Sequence, residues 1–206
     1  MRGVSNAILR RNPLQRFSRR VRTLDYLNIG CNRKVFEHTI NLDYAWFPGI
    51  DLTFDICRSL PLAAQSLRGI YCEHVFEHLP FHTVPFILSE WKRVLRPGGG
   101  VRILVPDAQL YVETYCRIMR GEEARFPYHD PEATPMMQVN EMFRSYEHQY
   151  AYDFETLARL LDEAGFRDIT RCEHRRGRDE RLLLDSDERR EESLRVEAVS
   201  PELGRS

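Results

Sequence analysis

The sequence has 206 residues, of which 42% are hydrophobic, and its formal net charge is -1. This length fits one sizeable α/β domain, and the balanced charge excludes a global field that would favour nucleic acid or an acidic partner. The five cysteines form no C-x-x-C pair, which argues against a zinc ribbon or a disulfide framework and favours a reducing, cytoplasmic setting. Since no apolar run approaches about 18 residues, we expect no membrane span.

Residues 1–22 form a basic arm that holds seven arginines and no acidic residue. Such an arm can bind a membrane surface or nucleic acid. Pro13 interrupts any long amphipathic face, however, which favours a surface helix or a frayed tail. We therefore expect residues 23–206 to form a single domain, and we expect no nucleic-acid partner.

The first predicted strand, 24–29, runs into a turn at Gly30. Because glycine has no Cβ, the backbone can approach a ligand there. The second strand, 39–43, ends at Asp43, where a carboxylate can accept hydrogen bonds from both hydroxyls of a ribose. Only the seven residues 32–38 separate the turn from this strand, too few for a crossover helix. The pattern predicts a nucleoside-containing cofactor without a pyrophosphate.

Two more strands and the clearest helix follow. A short strand at 49–56 carries Asp55 near its end, and a strand at 70–72 runs into Glu73. The segment 84–95 has apolar residues at i, i+3, i+4 and i+7, which predicts a helix with one face on a sheet. A proline and three glycines at 97–100 end that helix.

The fifth predicted strand, 101–105, precedes Asp107, which can cap a helix closed by Gly121. Strands and helices that alternate at this spacing predict an α/β fold with a doubly wound, mostly parallel sheet. In such sheets the ligand lies at the carboxyl ends of the strands. The polar and glycine residues predicted at these ends are Gly30, Asp43, Asp55, Glu73, His74 and Asp107.

Residues 121–151 form an insert that is rich in proline, aromatic residues and histidine and has no strong periodicity. A segment this long inside a compact domain is more often a lid or a binding loop than filler. We expect the insert to cover the substrate. The candidate substrate contacts are Tyr128, His129, Arg144, Tyr146, His148 and Tyr150.

The C-terminal part contains one more helix and two strands. Asp153 is the predicted cap of the helix, and residues 168–174 and 193–199 are the predicted strands. The mixed-charge run between them, 175–192, is interpreted as a solvated loop anchored by the leucines 182–184. It can also serve as a contact in a homodimer.

A set of motifs occurs in order over residues 24–107: L-N-I-G-C-N, I-N-L-D, D-I-C, Y-C-E-H-V-F-E-H-L and V-L-R-P-G-G-G-V-R-I-L-V-P-D. The set resembles class I S-adenosylmethionine-dependent methyltransferases, in particular the small type 11 group, and the likeness returns at 152–166. The resemblance implies a Rossmann-like, seven-stranded sheet with a shortened first crossover and an insert after the fifth strand. The sequence departs from the family pattern at Asn28, where an acid is usual, and at Asn32, where a second glycine is usual.

The resemblance also implies roles for individual residues. Gly30 would contact the methionine part of S-adenosylmethionine, Asp43 the ribose, and Asp55 with Ile56 the adenine. A non-catalytic partner subunit with weakened cofactor binding is the alternative, because Asn28 and Asn32 depart from the pattern. The full predicted cofactor-binding set is Asn28, Gly30, Cys31, Asn32, Asp43, Asp55, Ile56, Glu73 and His74.

The predicted reaction is methyl transfer to an oxygen or nitrogen of a small-molecule or sugar/glycan acceptor. The candidate catalytic residues are His148, Asp107 and His129. His148 is preferred as the base since an imidazole titrates near neutral pH, with Asp107 as its orienting partner or as the base itself. A nicotinamide-dependent oxidoreductase is disfavoured because the sequence has no G-x-G-x-x-G motif.

The segment His74-x-x-Glu77-His78 has two interpretations. Its three side chains are spaced to bind a metal from one face of a helix. Alternatively, Glu77 and His78 cap and orient the loop. We favour the capping interpretation, so we expect no metal and no effect of a chelator on activity.

Overall fold

The computed structural model describes residues 19–128 and 130–202. Its strands are β1 (Tyr26–Ile29), β2 (Ile40–Asp43), β3 (Leu52–Thr53), β4 (Leu67–Glu73), β5 (Leu95–Pro106), β6 (Arg167–Arg171) and β7 (Ser193–Val199). They form one seven-stranded sheet in the order β3-β2-β1-β4-β5-β7-β6. Within this sheet, β7 alone runs in the direction opposite to the other six strands. The predicted seven-stranded, mostly parallel α/β sheet is confirmed.

The helices are α1 (Arg19–Thr23), α2 (Val84–Val94), α3 (Ala108–Met119), α4 (Pro135–Arg144) and α5 (Phe154–Glu163). Both predicted caps are formed: the carboxylate of Asp107 accepts from the N–H of Leu110, and that of Asp153 accepts from the N–H of Thr156. Residues 32–38 contain turns and no helix, as the short first crossover predicted. Residues 1–18 of the predicted basic arm lie outside the described part of the chain.

The main core lies between one face of the sheet and the helices α2 and α5. Leu27 and Ile29 of β1 pack there with Trp91 of α2 and Leu161 of α5, and all four are buried. The periodicity predicted this face of α2, because residues three and four apart share one side of a helix. The burial of these apolar side chains stabilises the sheet, and the carboxyl ends of its parallel strands form the candidate site.

Residues 172–192 cover the opposite face of the sheet, so the interpretation of 175–192 as a solvated loop is wrong in part. Leu182 is the predicted anchor and packs with Tyr26 and Leu104. Asp185 is also fully buried, and it accepts hydrogen bonds from the guanidinium of Arg102. The segment is therefore a polar layer packed on the sheet, and the homodimer contact stays a prediction.

The largest differences from the predicted strand bounds are in β5 and β3. β5 begins at Leu95 and includes the proline and glycines that were predicted to end the preceding helix. The N–H of Gly98 donates to the carbonyl of Ser200, and the N–H of Ser200 donates to that of Gly99. β3 has only two residues, so Asp55 lies in the loop beyond it. Pairing with a distant segment keeps the glycine-rich stretch extended. The strand propensity of the local residues cannot predict such a contact.

Candidate active site

Two adjoining clefts open at the carboxyl ends of the parallel strands. The first, here the β2 cleft, has a volume of about 510 Å³ and lies over the ends of β1 and β2. The second, here the insert cleft, has a volume of about 1230 Å³ and lies between the loop after β1 and the insert. Gly30, Asn32, His74 and His78 line both clefts. A ligand that fills the β2 cleft therefore touches the wall of the insert cleft.

The turn after β1 requires a glycine for two reasons. Gly30 has φ +69°, and a Cβ at this position would lie 2.1 Å from Cγ2 of Val75. The N–H groups of Gly30 and Cys31 both donate to the carbonyl of Leu42 at 2.9 and 3.3 Å, which fixes the turn against β2. Burial raises the pKa of the Cys31 thiol to about 12, so Cys31 lies at the cleft as a neutral side chain.

Replacing Gly30 by alanine is expected to destabilise the chain more than the same change at Gly121. Both residues have positive φ, which costs alanine roughly 1–2 kcal/mol. A Cβ at Gly121 meets open space, whereas at Gly30 it displaces Val75, for about 1–3 kcal/mol more. Urea unfolding of both variants measures the difference, and equal losses would show that Val75 yields without cost.

Asp43 lies at the end of β2 and lines the β2 cleft. Its Oδ2 accepts from the N–H of Asn32 at 2.7 Å, and its Oδ1 accepts from the N–H of Ala45 at 2.9 Å. Each carboxylate oxygen keeps another lone pair that can accept from a ligand hydroxyl. Asn32 has φ +45°, a conformation that asparagine tolerates in place of the usual second glycine.

Asn28 lines neither cleft in the described part of the structure, although it was predicted to contact the cofactor. It is 2% exposed, and its Nδ2 donates to the carbonyl of Lys34 at 2.9 Å and to Oδ1 of Asn41 at 3.2 Å. The buried amide therefore holds the short crossover, residues 32–38, next to β2. An acid at this position could not donate these two hydrogen bonds, which gives a structural reason for the departure from the family pattern.

The apolar side of the β2 cleft is formed by Phe47, Phe54, Ile56 and Leu79. Asp55 lies at its rim, where Oδ1 accepts from the N–H of Cys57 at 3.0 Å. An apolar wall beside a carboxylate suits an aromatic base with polar edges.

Glu73 and His74 lie where the two clefts meet the polar layer behind them. Both carboxylate oxygens of Glu73 accept from Ser186, one from its N–H at 3.0 Å and one from its hydroxyl. The Nε2 of His74 lies 2.8 Å from the hydroxyl oxygen of Ser193, and His74 has φ +51°. Ser186 of the segment 172–192 thus holds Glu73 in place, and Ser193 at the start of β7 holds His74.

The structure places His148 at the insert cleft. Its Nδ1 lies 2.6 Å from the carbonyl oxygen of Met142, so an Nδ1–H tautomer leaves Nε2 with a free lone pair. The N–H groups of Gln149 and Tyr150 donate to the carbonyl of Glu77 at 2.6 and 3.2 Å. The end of the insert is therefore fixed against the loop after β4.

Asp107 does not orient His148, because the carbonyl of Met142 takes that position. Asp107 is 3% exposed, and its carboxylate accepts from the N–H of Leu110 and from the guanidinium of Arg171. Burial raises the pKa of Asp107, and Arg171 opposes that shift. Asp107 lines neither cleft in the described structure, so its visible role is to cap α3. His129 lies outside the described residues.

The insert contains α4, which the sequence analysis missed. Thr134 caps it by accepting from the N–H of Met137, and Pro135 is its first residue, a pair that is typical of a helix start. Of the predicted substrate contacts that are described, Tyr128, Tyr146 and His148 line the insert cleft. Arg144 and Tyr150 do not line it. The lining residues that the sequence analysis did not select include Tyr111, Gln138 and Arg189.

The capping interpretation of the histidine-rich segment is wrong for the side chain of Glu77. Residues Phe76–His78 form a single 3-10 turn without any side-chain cap. Neither carboxylate oxygen of Glu77 has a hydrogen-bond partner among the described residues, although the side chain is almost fully buried. It is the backbone carbonyls of Glu77 and His78 that bind the insert, the latter accepting from Nε2 of Gln149 at 2.6 Å.

The sheet order and the paired clefts at its carboxyl edge are typical of α/β proteins that bind a nucleoside-containing ligand. The sequence profile of a family described as a methyltransferase domain matches residues 7–171, and the chain belongs to this family. The class I S-adenosylmethionine-dependent methyltransferase identity predicted from the motifs is thus confirmed. A comparison with curated protein sequences finds no significant match.

Solved structures share the fold. A SAM-dependent methyltransferase from Archaeoglobus fulgidus superimposes with a TM-score of 0.55 at 18% identity, over 85% of this chain and 86% of the other. One from Methanosarcina mazei has a TM-score of 0.50 at 15% identity, over 86% and 92%. Haemonchus contortus phosphoethanolamine N-methyltransferase 2, in complex with S-adenosyl-L-methionine, has a TM-score of 0.50 at 12% identity, over 87% and 49%.

Proposed function

We propose that the protein transfers a methyl group from S-adenosylmethionine, bound in the β2 cleft, to an oxygen or nitrogen of a small-molecule or sugar/glycan acceptor in the insert cleft. The observation that carries this proposal is the shared wall of the two clefts at Gly30, Asn32, His74 and His78. It lets two ligands approach each other at the end of β1. Methyl transfer requires such an approach, because proximity and alignment supply much of the rate.

The residues of the β2 cleft fit the cofactor. Gly30 lines the cleft at the turn after β1, and Asp43 retains lone pairs for the two ribose hydroxyls. Ile56 supplies an apolar contact for the adenine and Asp55 a carboxylate at its edge. When bound, S-adenosylmethionine supplies a methyl group on a sulfonium with a good leaving group. The chain itself must then bind, orient and, for a protonated acceptor, remove a proton.

The insert cleft offers groups of mixed chemistry to the acceptor. Tyr111 and Tyr128 provide aromatic surface, Gln138 an amide and Arg189 a cation. This lining suits a polar small molecule or sugar better than a purely apolar one. His148 is the proposed acceptor-side catalytic residue, since its Nε2 retains a free lone pair at the cleft.

All five cysteines are free in the structure, in agreement with the reducing, cytoplasmic setting that we propose. Among the described residues, no helix combines the length and the apolar character needed to cross a membrane.

Replacing Asp43 by alanine is expected to weaken S-adenosylmethionine binding by roughly 1.5–3 kcal/mol, the range for hydrogen bonds to a charged group. Calorimetric titration with the cofactor measures the loss. Asp25→Ala is the matched control, because Asp25 pairs with Arg68 and Arg96 outside both clefts. The melting temperature without ligand separates lost binding from a loosened turn. Wild-type protein that gives no heat with millimolar cofactor would contradict the proposed function.

A further inference from the structure

The carboxylate of Glu77 is buried and makes no hydrogen bond in the described structure, and Nε2 of His78 lies 3.8 Å from its Oε1. Glu77 is 1% exposed, and neither of its oxygens accepts a hydrogen bond there. A buried anion without a partner costs several kcal/mol, so such a group normally pairs with a cation or loses its charge. The Nδ1 of His74 lies 3.1 Å from Oε1 but is not aligned for a hydrogen bond, and Nε2 of His74 is already engaged by Ser193.

Two other imidazoles converge on this carboxylate. One ligand atom each from Glu77, His78 and His148 lies within 4.8 Å of the other two. The rings of His78 and His148 meet edge to face, with their centroids 4.8 Å apart. All three residues line the insert cleft.

We propose that Glu77, His78 and His148 bind one divalent transition-metal ion, such as Zn²⁺, at the wall of the insert cleft. Two imidazoles and one carboxylate form a donor set that suits Zn²⁺, Co²⁺ or Fe²⁺ better than Mg²⁺, which prefers oxygen alone. In a tetrahedral shell, ligand atoms about 2.0–2.2 Å from the metal lie about 3.3–3.6 Å apart. Side-chain shifts of about 1 Å therefore bring the three atoms into such a shell.

The surroundings of the cluster support this assignment. The carbonyl of Met142 lies 2.6 Å from Nδ1 of His148, the type of contact that fixes the tautomer of a metal-binding histidine. The N–H groups of Gln149 and Tyr150 hold the insert against the carbonyl of Glu77, which places ligands from two distant segments together without the metal. Three protein ligands leave one coordination position open toward the cleft.

The test uses the full chain, stripped with a chelator and dialysed, and does not depend on activity or on S-adenosylmethionine. Titration with Zn²⁺ by calorimetry, and with Co²⁺ by visible absorption, is expected to give one equivalent bound. Glu77→Gln and His148→Gln should each weaken Zn²⁺ binding at least tenfold. Loss of a residue that only orients a metal ligand already weakens metal binding about tenfold or more, and loss of the ligand itself should weaken it further. His82→Gln is the matched control, since His82 is exposed and lines neither cleft.

Thermal melting of each stripped variant shows whether it folds, and added Zn²⁺ should raise the melting temperature of the wild type and of His82→Gln alone. Glu77 and His148 come from different segments of the chain. If one of the two variants does not fold, the other still tests the proposal. No saturable Zn²⁺ binding, or binding that both ligand variants retain, would overturn the proposal. The proposed methyl transfer would stand in either case, because cofactor binding is measured separately.

Discussion

Replacing Asp185 by asparagine is expected to lower the free energy of unfolding by about 3–5 kcal/mol, the usual cost of breaking a buried ion pair. Asp185 and Arg102 are both fully buried, and Nε of Arg102 donates to Oδ1 of Asp185 at 2.7 Å. Arg195 donates to the same carboxylate at 3.1 Å. Glu197 remains as a partner of Arg102 at 2.7 Å, but it cannot neutralise both guanidinium groups.

Asp187→Asn is the matched control for this change. Asp187 lies two residues further along the same segment and pairs with His174 and Arg175, but its side chain is 70% exposed. Exposed pairs contribute about 0–1 kcal/mol, so this variant should unfold almost like the wild type. Urea unfolding followed by circular dichroism compares the two. Equal small losses would mean that the Arg102 cluster is hydrated and worth no more than a surface pair.

The same cluster predicts a pH dependence with a definite sign. Burial alone would raise the pKa of Asp185, but the hydrogen bonds and charge of Arg102, together with the Arg175 N–H and Arg195, outweigh it, so the folded pKa lies below the usual value. A carboxyl group with a lowered pKa contributes stability above its unfolded pKa and loses it as the pH falls through the folded one. Stability should therefore fall below about pH 4, and less steeply in Asp185→Asn than in the wild type.

The parts of the fold that the sequence predicted are those with local causes. The face of α2 follows from helical periodicity, and the caps at Asp107 and Asp153 follow from side chains that bind the backbone three residues on. The Arg102–Asp185 pair joins residues 83 positions apart in sequence, and no spacing rule reports such a pair. For this reason a buried polar layer was interpreted as a solvated loop.

The residues of the candidate site also divide into those that a local sequence signal predicted and those that depend on distant contacts. Gly30 and Asp43 were predicted because each ends a recognisable strand, and both line the β2 cleft. The surroundings of His148 could not be predicted, since they depend on how the insert folds back onto the carbonyl of Glu77. The Thr134-Pro135 pair was a usable signal for α4, and with it the position of Met142 beside His148 becomes a helix-end contact.

Replacing His148 by glutamine is expected to lower turnover by about 10²-fold or more while leaving S-adenosylmethionine affinity nearly unchanged. The ring lies at the insert cleft and not among the residues of the β2 cleft, so its loss should affect the acceptor side only. Steady-state kinetics with the acceptor, and calorimetry with the cofactor, measure the two quantities. His82→Gln should retain full turnover, and so would His148→Gln if the ring only packed against Met142.

Glu77→Gln distinguishes the two ways in which His148 can act. If His148 is a free base, its neighbour Glu77 matters little, and Glu77→Gln should keep most of the turnover. If both residues bind the same metal ion, each replacement removes the ion and the two variants should lose turnover alike, because groups that act as a unit are not additive. The double variant then loses no more than either single one. A double variant that loses the product of the two single effects would assign His148 and Glu77 to independent roles.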